Sequence, residues 1–214
     1  MPGILLSSAY MPPIHYFTAM ACSGEVFIEQ YDTYCKQTWR NRCLIGSQSG
    51  PLALTVPVVK PHPGQVMKDI RISDHGEWRR NHWKALESCY MNSPFFLYYM
   101  DDLHPFYEKR WEYLIDYNTE ITLKLMELTG LGGSIRLTER FDRNLLYQDM
   151  RFLSDPNVLP SARVKPYWQV FKSRLGFMEG LSILDLLFNM GPETRLVLKD
   201  VESVSGKDMR APLT

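Results

Sequence analysis

Apolar and polar positions divide this chain into short runs that suit strands and longer stretches with helical spacing. Residues 4–8 (ILLSS) form a compact apolar run of the kind a buried strand needs, and residues 25–31 (EVFIEQY) form a second. Between them Pro12 and Pro13 close the first run and suit the first turn of a helix. That helix is predicted over residues 15–22, with Gly24 near its end. A strand–helix–strand opening predicts an α/β domain with a parallel pair.

Residues 41–45 and 52–59 predict two further strands joined by the loop 46–50 (GSQSG). On the second, Leu52, Leu54, Val56 and Val58 share one face, and Ala53, Thr55 and Pro57 take the other. Residues 60–66 carry two prolines and a glycine and are predicted as loop, with a short strand over 69–73. Asp74 and Glu77 fit a capping box ahead of a helix that lines up Trp78, His82, Ala85, Leu86 and Cys89 on one side. Ser93-Pro94 opens the next helix, which ends near His104-Pro105. A long helix is then predicted over 107–128, with Gly130 as its C-terminal cap. A strand is predicted over 134–141, and irregular structure over 142–166. Residues 180–190 (GLSILDLLFNM) are apolar on most sides and predict a buried helix that Gly191-Pro192 stops. The fold expected is a single α/β domain over 1–214 with a short mixed sheet and flanking helices. Within it, 1–141 is the α/β part with the site, 142–166 an irregular connection and 167–214 a C-terminal helical part.

Composition narrows the class. At 45% hydrophobic and 13% aromatic residues, the 214-residue chain has the material for a substantial core, which argues against disorder. Its 24 basic and 24 acidic residues cancel, so it lacks the basic excess of a general nucleic-acid binder. Cys22, Cys35, Cys43 and Cys89 make no C-x-x-C pair, and five scattered histidines make no ligand spacing, so no metal is expected. The N-terminus has no basic region before its short apolar run, and no stretch approaches the roughly 20 apolar residues of a membrane helix. The expectation is a reduced, cytoplasmic protein without a membrane span.

Candidate chemistry concentrates in Tyr34-x-Lys36-x-x-Trp39-x-Asn41-Arg42, whose named positions set two cations, an amide and two aromatic rings within nine residues. Arginine offers a planar fork matched to phosphate or carboxylate, and lysine a compact charge. Tyr34 and Trp39 can stack on a ring, and Asn41 both donates and accepts. His82, a helical turn after Trp78, is a general-base candidate because imidazole titrates near neutrality; the alternative is a core histidine bonded to backbone. Asp185 falls inside the apolar C-terminal helix and needs a cation or several hydrogen bonds; Arg42 or Lys36 is one candidate partner, and the alternative is that Asp185 reaches solvent or caps a nearby loop. No phosphate-cradling glycine motif and no nucleophile elbow occurs.

These residues, with others, resemble the WbqC-like protein family of bacteria. The resemblance rests on Y-x-K-x-x-W-x-N-R (Tyr34, Lys36, Trp39, Asn41, Arg42) and the strand ending T-V-P (Thr55, Val56, Pro57). It rests also on W-x-x-x-H-W (Trp78, His82, Trp83), Y-x-x-x-P-[YF]-F (Tyr90, Pro94, Phe95, Phe96) and the segment Leu181 to Gly191. Two departures stand out. Ser8-Ala9-Tyr10-Met11 replaces the usual Q-P-N-Y, and the usual longer middle section is reduced to 142–166. The resemblance implies one shared site around Lys36, Trp39, Asn41, Arg42 and His82, in a family often encoded beside surface-polysaccharide genes and suspected of sugar transfer.

The resulting expectation is a ligand site of Tyr34, Lys36, Trp39, Asn41, Arg42, Thr55 and Trp78, with His82 as general base and Asp185 as structural support. It would bind an anionic small molecule, a nucleotide-sugar or acyl donor, without a cofactor, metal or nucleic acid, in a monomer or homo-oligomer. As an enzyme the chain would be a glycosyl-, acyl- or aminoacyl-type group transferase in glycan synthesis. The alternative is a non-catalytic binding or scaffold protein that meets a protein partner through aromatics such as Tyr98 and Tyr99.

Overall fold

Strand β1 (Ile4–Ser7) is fully buried because it is a central strand. The strand β2 (Val26–Glu29) pairs with it in parallel, Ile4 opposite Val26 and Ser7 opposite Glu29. Helix α1 (Ile14–Ala21) makes the crossover, opening at extended Pro13 as the two prolines predict. The computed structural model describes residues 3–141, 147–158 and 164–200. Parts of two predicted segments, 142–146 and 159–163 of the connection and 201–214 of the C-terminal part, lie outside them.

After β2 the chain forms the antiparallel hairpin of β3 (Arg42–Ser47) and β4 (Gly50–Thr55), with Arg42 opposite Thr55. The expected five-residue loop is shorter than its composition suggests: Gly46, Ser47 and Gly50 belong to the ladder, and only Gln48 and Ser49 turn. Helices α2 (Trp78–Tyr90), α3 (Phe96–Leu103), α4 (Pro105–Glu108) and α5 (Leu114–Leu128) follow. Strand β5 (Ile135–Leu137) then adds in parallel to β2, and β6 (Gln148–Asp149) to β1, giving the order β5-β2-β1-β6. The chain closes with α6 (Lys172–Leu175), α7 (Ile183–Met190) and α8 (Thr194–Lys199). This is the expected α/β fold with flanking helices, its parallel strands in a four-stranded sheet and its antiparallel pair in a two-stranded one.

Three local expectations change. Asp74 does not cap α2: its carboxylate takes a 2.7 Å bond from Arg79, and the helix starts at Trp78 after left-handed Gly76 and Glu77. The predicted helix over 107–128 breaks after Glu108. There Arg71 and Tyr113 form a bridge, and Ile72 N–H bonds Glu112 O at 2.9 Å, pulling 109–113 into extended backbone. Inside the segment predicted as irregular, β6 and a 3₁₀ turn at Arg151–Ser154 form. At the end of α5, Gly130 (φ 66) closes the helix as predicted: its N–H bonds Glu127 O, and that of Leu131 bonds Met126 O.

The C-terminal helix is tied to the first strand's exit. Ser182 caps α7, receiving Leu184 N–H, while its hydroxyl donates to Met11 O at 2.7 Å and Ile183 N–H bonds Pro12 O. This hook draws α7 into the core with Leu184, Leu187 and Phe188 fully buried.

Candidate functional site

The segment between β2 and β3 is shaped by a buried arginine. The Arg40 guanidinium bonds Asp32 at 2.7 Å, Ser7 Oγ at 3.0 Å and Ser154 Oγ at 3.0 Å. It thus anchors both ends of the segment to the carboxyl end of β1. Tyr34 N–H bonds Gln65 O, and Asn41 Nδ2 bonds Val56 O at 2.9 Å while Val56 N–H returns a bond to Asn41 O. Between these anchors Lys36 and Gln37 turn outward, with Gln37 left-handed at φ 60.

The turn, the start of β3, the end of β4 and the chain that follows it line a cavity of about 500 Å³, formed by Tyr34, Lys36, Gln37, Asn41, Arg42, Thr55, Val58, Lys60 and Pro61. Five of the residues expected at the site, Tyr34, Lys36, Asn41, Arg42 and Thr55, meet here. Lys60 was not expected; it arrives from across the hairpin, and no spacing in the chain announces it. Among the described residues no carboxylate lines the cavity. Among the described residues Lys36, Arg42 and Lys60 pair with no acidic side chain. The Arg42 Nε is buried without a partner, and burial pushes the Tyr34 hydroxyl up to about 12, so it stays a neutral donor.

Three expected members lie elsewhere. Trp39 is a core residue: its backbone N–H bonds Ser154 O, its carbonyl takes Tyr10 N–H, and its ring is 5% exposed. Trp78 is 4% exposed, donates its indole N–H to Ser73 O and meets the rings of His82 and Tyr117 edge-on. Neither offers a face to a ligand ring. His82 lies behind β4. Its Nδ1 is 2.9 Å from the Tyr10 hydroxyl and the ring bonds the Thr55 backbone. Burial lowers its pKa to about 4, partly offset by the Thr55 bond. Enclosed, and with its basicity lowered, it does not line the cavity.

Asp185 pairs with neither Lys36 nor Arg42. It is buried 2% exposed under Tyr90, Tyr167 and Gln169, which donate to its two oxygens. Burial raises its pKa, against the lowering effect of these bonds. The sequence correctly demands compensation for this carboxylate, but hydroxyls and an amide supply it. Of the aromatics expected on a partner surface, Tyr98 is 73% exposed and Tyr99 is buried.

With this geometry in place, comparison with known proteins is informative. The chain belongs to the WbqC-like protein family, whose model matches residues 7–154. The C-terminal segment Leu181 to Gly191 lies outside the matched residues. The chain is also similar to the uncharacterized protein Rv1507c of Mycobacterium tuberculosis, with 30% identity over 223 residues that cover 88% of this chain and 94% of the relative. No solved structure matches it. Among the described residues no helix is long and apolar enough to cross a membrane, and no group of acidic, histidine or cysteine side chains is placed to hold a metal ion.

Proposed function

We propose that this protein is a group transferase of bacterial surface-glycan synthesis that grips the phosphate groups of an activated donor in the Lys36–Arg42–Lys60 cavity. The observation that carries the reading is the concentration of three cations around one cavity without an acidic partner. Such charges repel one another in the free protein, and an anion relieves that repulsion. Arg42 supplies the fork for phosphate oxygens, the two lysines supply point charges, and Tyr34, Asn41 and Thr55 supply neutral polar groups beside them. In the transfer step the same cations would stabilise charge developing on the leaving phosphate. The sugar-gene setting comes from the family resemblance, and the chemistry of the transferred group is left to the donor.

Isothermal titration with pyrophosphate, uridine diphosphate and uridine tests this. The two anions should bind and the neutral nucleoside should not, with affinity falling as salt rises. Arg42→Ala should weaken pyrophosphate by at least about tenfold, the scale of one charged hydrogen bond. Equal binding of uridine and uridine diphosphate, or anion binding untouched by Arg42→Ala, would overturn the assignment.

A second reading draws on the outward face of α3, where Leu97 is 63% and Tyr98 73% exposed. There the protein would bind a protein partner without catalysis. Capture of a partner that Tyr98→Ser abolishes, together with no anion binding, would favour it.

A further inference from the structure

A second cavity, of about 460 Å³, is lined by Asp32, Asp149, Arg151 and Phe152, and its Asp32 takes the Arg40 guanidinium at 2.7 Å. Its position follows from topology. The chain leaves β1 towards β2 on one side, and β6 extends the sheet on the other, so the strand order reverses between β1 and β6. Asp149 is the last residue of β6, and Ser7, the last residue of β1, donates to Asp32 at 2.9 Å. Open α/β sheets bind ligands at the carboxyl ends of strands flanking such a reversal.

The charges here are arranged differently from those of the first cavity. Arg151 forks onto Asp149, Nε to Oδ1 at 3.0 Å and Nη2 to Oδ2 at 2.7 Å. Asp32 is held by Arg40 at 2.7 Å. Each lining carboxylate already has its guanidinium. Glu29, fully buried behind them with Oε1 bonded by Tyr31 N–H and the Thr138 hydroxyl, adds negative field at Arg151 but is out of reach of a ligand. An anion would meet that field, and a cation would find no unpaired carboxylate at the surface. A ligand bearing neighbouring hydroxyls suits the site, because each hydroxyl donates to a carboxylate lone pair and accepts from a guanidinium N–H. Phe152, half-buried in the same wall, supplies an apolar face for a ring's C–H side.

We infer that this crevice is a binding site for a neutral polyhydroxylated ring, a glycosyl unit, separate from the anion cavity. The inference stands on the crevice alone and does not require the anion cavity to bind phosphate.

Saturation-transfer NMR with the methyl glycosides of glucose, galactose, mannose and N-acetylglucosamine provides the test, repeated with excess pyrophosphate. At least one glycoside should receive saturation, and pyrophosphate should not displace it. Asp149→Asn and Arg151→Gln, each checked for an unchanged melting curve, should weaken that glycoside by at least about tenfold, the loss expected for a charge-assisted hydrogen bond. Absence of saturation transfer from all four, displacement by pyrophosphate, or full binding by whichever variant keeps the parent melting curve would overturn the inference. If both variants melt early, Phe152→Leu replaces them, and undiminished binding in it counts against the site.

Discussion

The Tyr90 hydroxyl donates to Asp185 Oδ1 at 2.8 Å and, from the other side, accepts the backbone N–H of Gly46 at 2.9 Å. One oxygen atom thus joins the end of α2, the middle of β3 and the interior of α7. Tyr90→Phe removes a bond to a buried carboxylate and orphans a buried N–H at once. With each loss worth about 1–3 kcal/mol, the variant should lose about 3 kcal/mol of stability. Urea denaturation at neutral pH measures it, and a loss below about 1 kcal/mol would mean that water enters to replace both bonds.

Residue chemistry explains how far the sequence could be read. The β1–α1–β2 start was legible because apolar runs of five and seven residues, with two prolines between them, have few other solutions. Half of the cavity was legible because Tyr34, Lys36, Asn41 and Arg42 are close enough along the chain for one turn to gather them. Lys60 was invisible because the course of the chain beyond β4, not spacing, brings it there. Trp39 and Trp78 are expected at a ligand for their rings and His82 as a general base for its titration, with the family resemblance behind Trp39 and His82, yet a ring on a core-facing side is worth more buried. Strand β6 is two polar residues long and has no periodicity to detect. Arg40 and Arg42 differ by two positions and look alike in sequence; only the fold separates an internal clamp from a cavity wall.

His82 and His15 tie stability to pH. Burial lowers each to about 4 from an ordinary value near 6.5. The unfolded chain therefore takes up protons below about 6.5 that the folded chain refuses, so stability is full above that pH and falls towards 4. One histidine shifted this far is worth up to about 3 kcal/mol across the window. His82→Gln should therefore flatten the dependence, reducing the difference between pH 7 and pH 4.5 by about 2.5 kcal/mol. Urea midpoints across that range decide it, and parallel curves for parent and variant would refute the assignment.

Gly191 ends α7 at φ 52, and a Cβ there would lie 2.5–2.7 Å from the Phe95 ring. The approach is held by Phe95 N–H bonding Phe188 O at 3.0 Å. Gly191→Ala therefore combines the strain of a positive-φ backbone that glycine favours, about 1–3 kcal/mol, with overpacking of about 1–3 kcal/mol. A loss of about 3 kcal/mol is expected in thermal unfolding. Phe95→Leu in the same chain should recover part of it by opening space, which backbone strain alone would not allow.

Arg40 and Arg42 make the sharpest contrast in the molecule. Arg40 is 7% exposed and holds Asp32, Ser7 and Ser154 together beneath the loop that carries Lys36. Arg40→Ala leaves the Asp32 carboxylate, 13% exposed, without its cation. Breaking a buried pair from one side costs about 3–5 kcal/mol. The loss should appear in urea denaturation whether or not a ligand is present. Arg42 forms no ion pair with any described residue, and its unpartnered Nε is a cost the free protein carries. Arg42→Ala should change stability by less than about 1 kcal/mol while removing the protection that pyrophosphate gives the parent, since a ligand bound only to the folded state raises its stability. Melting curves of both variants with and without pyrophosphate separate the roles. If Arg42→Ala proved as destabilising as Arg40→Ala and kept the pyrophosphate shift, Arg42 would be a structural residue and the anion cavity would have to rest on the lysines alone.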